Sequence, residues 1–237
     1  MSDQKPKVLV VLSSAVDLPN NEKKTGWYLP EFAHPWHVLH EKVDLTIAST
    51  NGGKVPVDPN SVGMFAGDQI AQDFLANQST LWENTVKLSS FLGHAKDFDA
   101  IYFVGGHGPM LDLATNKDSQ ALVAEFYESG RIVSAVCHGP AALVNVKLSD
   151  GGWLIDGAEV TGFSNAEEDS IDYSKFMPFM LEDELNKKSG GRFVKAEQDW
   201  GEKVVVAKDG RLITGQNPFS ATKLAHELYA SIMTHRK

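Results

Sequence analysis

One cysteine, Cys137, stands among 237 residues. No disulfide can close within the chain, and no structural zinc site built on several thiolates can form. Basic residues are in deficit: 22 Lys and Arg against 31 Asp and Glu give a formal net charge of −9. Nucleic acids and anionic membranes are held by basic surface, so this balance argues against both as general partners, a local basic patch aside. Long apolar runs are missing as well. The stretch 8–12 is far too short to span a bilayer. Residues 1–7 before it are polar, and no small-residue cleavage pattern follows it. The phosphate-binding patterns G-x-G-x-x-G and G-K-[ST] are absent. So are fixed-period repeats and Gly-, Ser- or Pro-rich linkers. What remains is 42% hydrophobic and 22% charged, an ordinary globular composition in a chain long enough to bury a full core. The expectation is one domain over residues 1–237, soluble and cytoplasmic, where a reducing medium suits a lone thiol.

The chain alternates strand and helix signals. Residues 7–13, 43–49, 100–104 and 132–136 are short runs rich in β-branched and aromatic side chains and read as buried strands. Residues 30–41 read as a helix, with Pro30 in its first turn and Phe32, Trp36 and Leu39 at helical spacing. Residues 118–129, 139–144 and 221–235 read as further helices, and 159–163 and 212–215 as strand-like. Residues 56–67, rich in Pro, Gly, Asp and Asn, read as loop, and 68–92 as polar and partly helical. This alternation predicts a mostly parallel central sheet covered on both faces. In such sheets ligands bind beyond the carboxyl ends of the strands, where two loops carry chemistry.

The first is Ala135-Val136-Cys137-His138-Gly139. A reactive residue between small neighbours at a strand-to-helix turn has the shape of a nucleophile elbow. A helix N-terminus there stabilises a thiolate, although a lone cysteine is more often a small buried hydrophobe. His138 is the nearest base, and a base needs a third group to hold its tautomer. The acidic run Glu167-Glu168-Asp169 offers one, against the plainer reading of a solvated loop. The second loop, Gly105-Gly106-His107-Gly108, lets backbone N–H groups converge on one point, as an oxyanion hole requires; its plainer reading is a tight turn. Glu31, beside Pro30, has the ordinary role of an acidic residue facing the helix dipole. His34, His37 and His40 follow on the same helix, but their spacing spreads them around it, which argues against a metal site.

Together these segments resemble the ThiJ/PfpI superfamily, of class I glutamine amidotransferase-like fold. The resemblance runs through residues 24–31 with His34-Pro35, then 105–108, 135–140, 161–168 and 212–218, and is nearest the glyoxalase III and stress-chaperone branch. It implies a flavodoxin-like three-layer α/β sandwich and a homodimer. It makes Cys137 the nucleophile, His138 its partner and Glu168 the carboxylate of the triad, with Glu167 as the fallback. It sets Glu31 against the cysteine sulfur and assigns the backbone N–H groups of Gly106 and His138 to the oxyanion. Some chaperone-type members hold zinc with two histidines and a carboxylate; His40 and Asp44 could stand at two of those positions without the remaining histidine, so neither metal nor cofactor is expected. The implied activity is conversion of a small 2-oxoaldehyde such as methylglyoxal to a 2-hydroxy acid, without glutathione. Repair of glycated amines or thiols would use the same residues. A holdase chaperone, or a redox sensor acting through a low-pKa, exposed Cys137, is a reading of another class.

Overall fold

The computed structural model describes residues 4–19 and 22–236; the first three residues of the polar lead lie outside them. Seven strands form one sheet: β1 (Lys7–Leu12), β2 (Asp44–Ser49), β3 (Val86–Lys87), β4 (Ala100–Phe103), β5 (Ile132–Val136), β6 (Val204–Ala207) and β7 (Leu212–Gly215). Their order is β3-β2-β1-β4-β5-β7-β6. Every pairing is parallel except β6 with β7. Strands β1, β4 and β5 are buried almost throughout. Parallel strands covered on both faces are near-continuous apolar runs for that reason.

Helix α1 (Leu29–Leu39) links β1 to β2, and the later helix Lys117–Glu128 links β4 to β5. These two crossovers run in opposite directions along the sheet. Because parallel crossovers are right-handed, their helices cover opposite faces. The C-terminal helix Ala221–His235 packs on α1 and against β5 and β7, completing the first layer. Below α1 lies an aromatic nucleus. Trp27 is fully buried and meets Phe32 edge-on at 5.6 Å and Trp82 at 5.2 Å, so these tryptophans serve packing. Among the described residues no helix is long and apolar enough to cross a membrane.

Several sequence expectations differ from the structure. Residues 56–67 contain a helix, α2 (Pro59–Met64), started by the Asp58 side chain, which accepts from the N–H groups of Asn60 and Ser61. The expected helix at 139–144 is a 3-10 turn, Gly139–Ala142. Residues 159–163 form no strand; Val160 makes only an isolated bridge to Phe193. The acidic run falls not on a solvated loop but on a helix, Asn165–Ser170, closed by a capping box between Ser164 and Glu167. That S-x-x-E spacing was present in the sequence as a start signal.

The connections leaving β1 and β4 part in opposite directions, which opens a crevice at their carboxyl ends. Gly105, Gly106 and His107 follow β4 there, and Cys137 follows β5.

Candidate active site

Cys137 sits at the sharp turn after β5 with φ +60°, a left-handed conformation that costs a non-glycine residue about 1–2 kcal/mol. The chain tolerates it because both peptide groups are anchored. The Cys137 N–H donates to the Gly215 carbonyl at 2.9 Å, and its carbonyl accepts from Phe163 N–H at 2.9 Å. Small residues are required around this turn. A Cβ on Gly139 would lie 2.5 Å from the Phe103 carbonyl oxygen, and one on Gly105 would lie 2.4 Å from Glu31 Oε2 and 2.5 Å from the Val136 carbonyl. Gly105→Ala is therefore expected to lower stability by about 1–3 kcal/mol through overpacking against backbone, read as a drop in melting temperature together with faster alkylation of a displaced Cys137.

The side chains form a linear relay. Cys137 Sγ lies 3.3 Å from His138 Nδ1, and His138 Nε2 lies 2.5 Å from Glu168 Oε2. All three residues are buried. Burial alone would push the Glu168 carboxyl up, but the charge of His138 and hydrogen bonds from His107 and His138 overcome it and hold Glu168 far below the usual carboxylate range. An ionised Glu168 accepts, so His138 donates through Nε2 and turns the Nδ1 lone pair toward sulfur. Glu167, one residue earlier, faces elsewhere. Its Oε2 accepts from the backbone N–H and hydroxyl of Ser164, and its Oε1 from Trp200 N–H, Gln216 and Asn217.

Glu31 is completely buried on the first turn of α1. Its helix position follows the local sequence pattern, and its carboxyl points at the cysteine, where the resemblance set it. Neither oxygen finds a well-formed hydrogen bond among the described residues. Burial pushes its pKa well above 4.5; the Cys137 thiol and Gly105 amide facing it oppose the shift only in part. This burial favours the protonated form of Glu31. The Cys137 thiol is also pushed up, first by burial and then by Glu31, with only the Gly106 N–H drawing it down. This corrects the expectation of a low-pKa, exposed thiolate: Cys137 is 3% exposed, and the short 3-10 turn behind it lacks the aligned peptides of a helix dipole.

A cavity of about 470 Å³ opens onto this group, bounded by Tyr28, Gly106, His107, Cys137, Tyr173 and Trp200 among others. His107 is the residue that sequence reasoning missed, having been taken only as part of a glycine loop. Its Nε2 lies 2.8 Å from the second Glu168 oxygen. Among the described residues, His107, His138 and Glu168 form the one cluster whose donor atoms approach metal-ligand spacing, but each histidine Nε2 is already spent on the carboxylate. His40 Nδ1 donates to the Trp36 carbonyl, Asp44 is exposed, and His34 is bound to Asp68 and Thr222.

An open α/β sheet with a cysteine on a strained elbow and a histidine–carboxylate pair behind it defines a class of cysteine-centred proteins. Residues 26–231 match the DJ-1/PfpI family, and the chain belongs to that family, within its glyoxalase III branch. It is 31% identical to Glyoxalase 3 of Candida albicans over 95% of this chain and 98% of that protein. It is 28% identical to the protein/nucleic acid deglycase HchA of Escherichia coli over 93% and 78% of the two chains. Among solved structures it is similar to the Rapid Encystment Protein 24 kDa of Francisella tularensis, with TM-score 0.88 and 37% identity over 96% and 99% of the two chains.

Proposed function

We propose that this protein is a glutathione-independent glyoxalase that converts methylglyoxal to lactate through a covalent adduct on Cys137. The observation that carries this reading is the pairing of two proton-handling groups on one sulfur: His138 on one side, and a fully buried Glu31 whose pKa is raised on the other. As Sγ attacks the aldehyde carbon, His138 Nδ1 takes the thiol proton and Glu168 balances the charge that forms on the ring. The N–H groups of Gly106 and His138 face the developing oxyanion. Glu31 passes its proton to that oxygen and becomes the base. It then removes the hydrogen of the former aldehyde carbon, giving an enediol, and returns it to the neighbouring carbon, while the hydroxyl proton of the first carbon passes to the oxygen of the second. The former aldehyde carbon is thereby oxidised to a thioester and its neighbour reduced to an alcohol, so no external electron donor is needed. Water cleaves the thioester, releasing the 2-hydroxy acid and the thiol. The chain's own cysteine takes the place that glutathione would fill.

The test is incubation of purified protein with methylglyoxal, without glutathione, and quantitation of lactate. Absence of product would overturn the reading and leave a holdase or sensor role. Repair of glycated groups draws on the same relay and is supported by the likeness to the deglycase; release of lactate from a glycated thiol, measured in parallel, separates the two.

Within the relay, the two neighbouring glutamates part cleanly. Glu168→Gln is expected to lower turnover by two orders of magnitude or more, because the amide no longer enforces the His138 tautomer or balances its charge. Glu167→Gln is expected instead to lower stability by about 1–3 kcal/mol, since a buried acceptor of five hydrogen bonds acquires a misplaced donor, with kcat changed far less. Turnover and urea denaturation of both variants decide it. A larger turnover loss in Glu167→Gln would move the triad by one residue.

A further inference from the structure

The relay does not end at Glu168. Each of its carboxylate oxygens has a histidine of its own: His138 Nε2 at 2.5 Å on Oε2, and His107 Nε2 at 2.8 Å on Oε1. Among the described residues these two rings are the hydrogen-bond partners of the Glu168 side chain. His107 is 5% exposed. Its ring is fixed between His138 at 4.2 Å and Tyr173 at 4.7 Å. The loop that carries it is pinned by Gly108, where a Cβ would come within 2.2 Å of Ser13 Oγ. His107 is thus neither a surface residue nor a member of the cysteine–histidine–carboxylate line, yet it is built into the site as firmly as His138.

We propose that His107 is a positioning residue: its Nε2–H anchors one oxygen of Glu168, so that the other is presented to His138 and the His138 lone pair is held on the Cys137 sulfur. The chemistry calls for such an anchor. A carboxylate bonded through one oxygen alone can rotate about its last side-chain bond, and it can also draw the shared proton from a close imidazole. A second donor blocks the rotation and keeps the negative charge on Glu168 when His138 takes up the thiol proton. Burial, and the positive charge of His138 whenever it holds a second proton, push the His107 pKa down, against the pull of Glu168. His107 therefore acts as a neutral donor, not as a second cation competing for Glu168. A wrong tautomer in such a relay leaves geometry intact while turnover collapses.

The test compares His107→Gln, which keeps an N–H donor at that reach, with His107→Leu, which fills similar space without one. In methylglyoxal turnover, a measurement that rests on the glyoxalase reading, His107→Leu is expected to lose about 10–100-fold in kcat, as is usual when a partner that orients a reacting group is removed. His107→Gln is expected to recover most of that loss, with KM little changed in either. Nitrogen-15 NMR of the His138 ring is expected to show a single Nε2–H tautomer in the wild type and in His107→Gln, and a mixture in His107→Leu. If His107→Leu does not fold, His107→Met carries the same comparison. Equal kcat in the donor and non-donor variants, or an unmixed His138 tautomer without the donor, overturns the proposal. The NMR arm needs no substrate. A wild-type protein that makes no lactate would defeat the glyoxalase reading, while the tautomer signal would still decide the role of His107.

Discussion

Cys137→Ala is expected to leave no measurable conversion of methylglyoxal, a loss of at least about 10⁴-fold, because removal of a nucleophile abolishes the covalent route and the remaining groups have no adduct to act on. The fold should survive. Alanine keeps the Cβ, and the backbone at position 137 is held by Gly215 and Phe163 through peptide groups that the substitution does not touch. The left-handed φ of +60° is as uncomfortable for alanine as for cysteine, so that cost is carried over unchanged. What is lost is one sulfur in a buried site, about 1 kcal/mol of packing by the usual value of a small buried group. The relevant measurements are lactate formation, far-ultraviolet circular dichroism and melting temperature on the same preparation. The variant also separates the competing classes of function. A holdase works through exposed apolar surface and should still suppress aggregation of a client after the sulfur is gone. A catalyst should not turn over. Retention of most of the lactate-forming activity would remove Cys137 from the mechanism.

How much of this was readable in the chain depends on which physical signal each feature left. The central strands β1, β4 and β5 are buried on both faces, so each is a continuous apolar run and was plain. The flank was not. Strand β3 has two residues, both exposed, too few to carry any period. Strand β6 is the antiparallel edge, with Val206 45% exposed, and its alternation is short. The elbow was legible because small residues must surround Cys137, and the glycine loop because a Cβ at Gly106 would meet the Gly26 carbonyl oxygen at 2.3 Å. The state of the thiol was not legible. It depends on burial by residues distant in sequence, and on whether a helix or a single 3-10 turn follows, which no local pattern decides. The part played by His107 was hidden for the same reason: its partner Glu168 is 61 residues away. For Glu31 the local pattern alone offered the helix-dipole role, and only the resemblance set it against the cysteine sulfur. The position on α1 was right, and the direction of the side chain is a tertiary fact.

Glu31→Gln is where the two readings of that residue predict opposite signs. If Glu31 served the helix dipole, it would be ionised, and the amide would lower stability by about 0.3–1 kcal/mol at neutral pH while leaving turnover intact. The structure instead buries the carboxyl completely and raises its pKa well above 4.5. Between 4.5 and that raised value the folded protein holds a proton that the unfolded chain releases. The folded state then binds more protons than the unfolded one, so stability falls as pH rises through this window. Gln is neutral at every pH and close in shape. Below pH 4.5 wild type and variant should be about equally stable. Above it the variant should become the more stable, with the gap widening by about 1.4 kcal/mol per pH unit until the folded-state pKa is reached. Chemical denaturation at a series of pH values reads this directly. Turnover should fall by about 10²–10⁴-fold across the whole range, because an amide cannot carry a proton from one carbon to the next. A more stable protein that no longer makes lactate is the expected result. A less stable protein with near-normal kcat would return Glu31 to the helix dipole, and with it the mechanism would lose the base that moves the substrate's hydrogen.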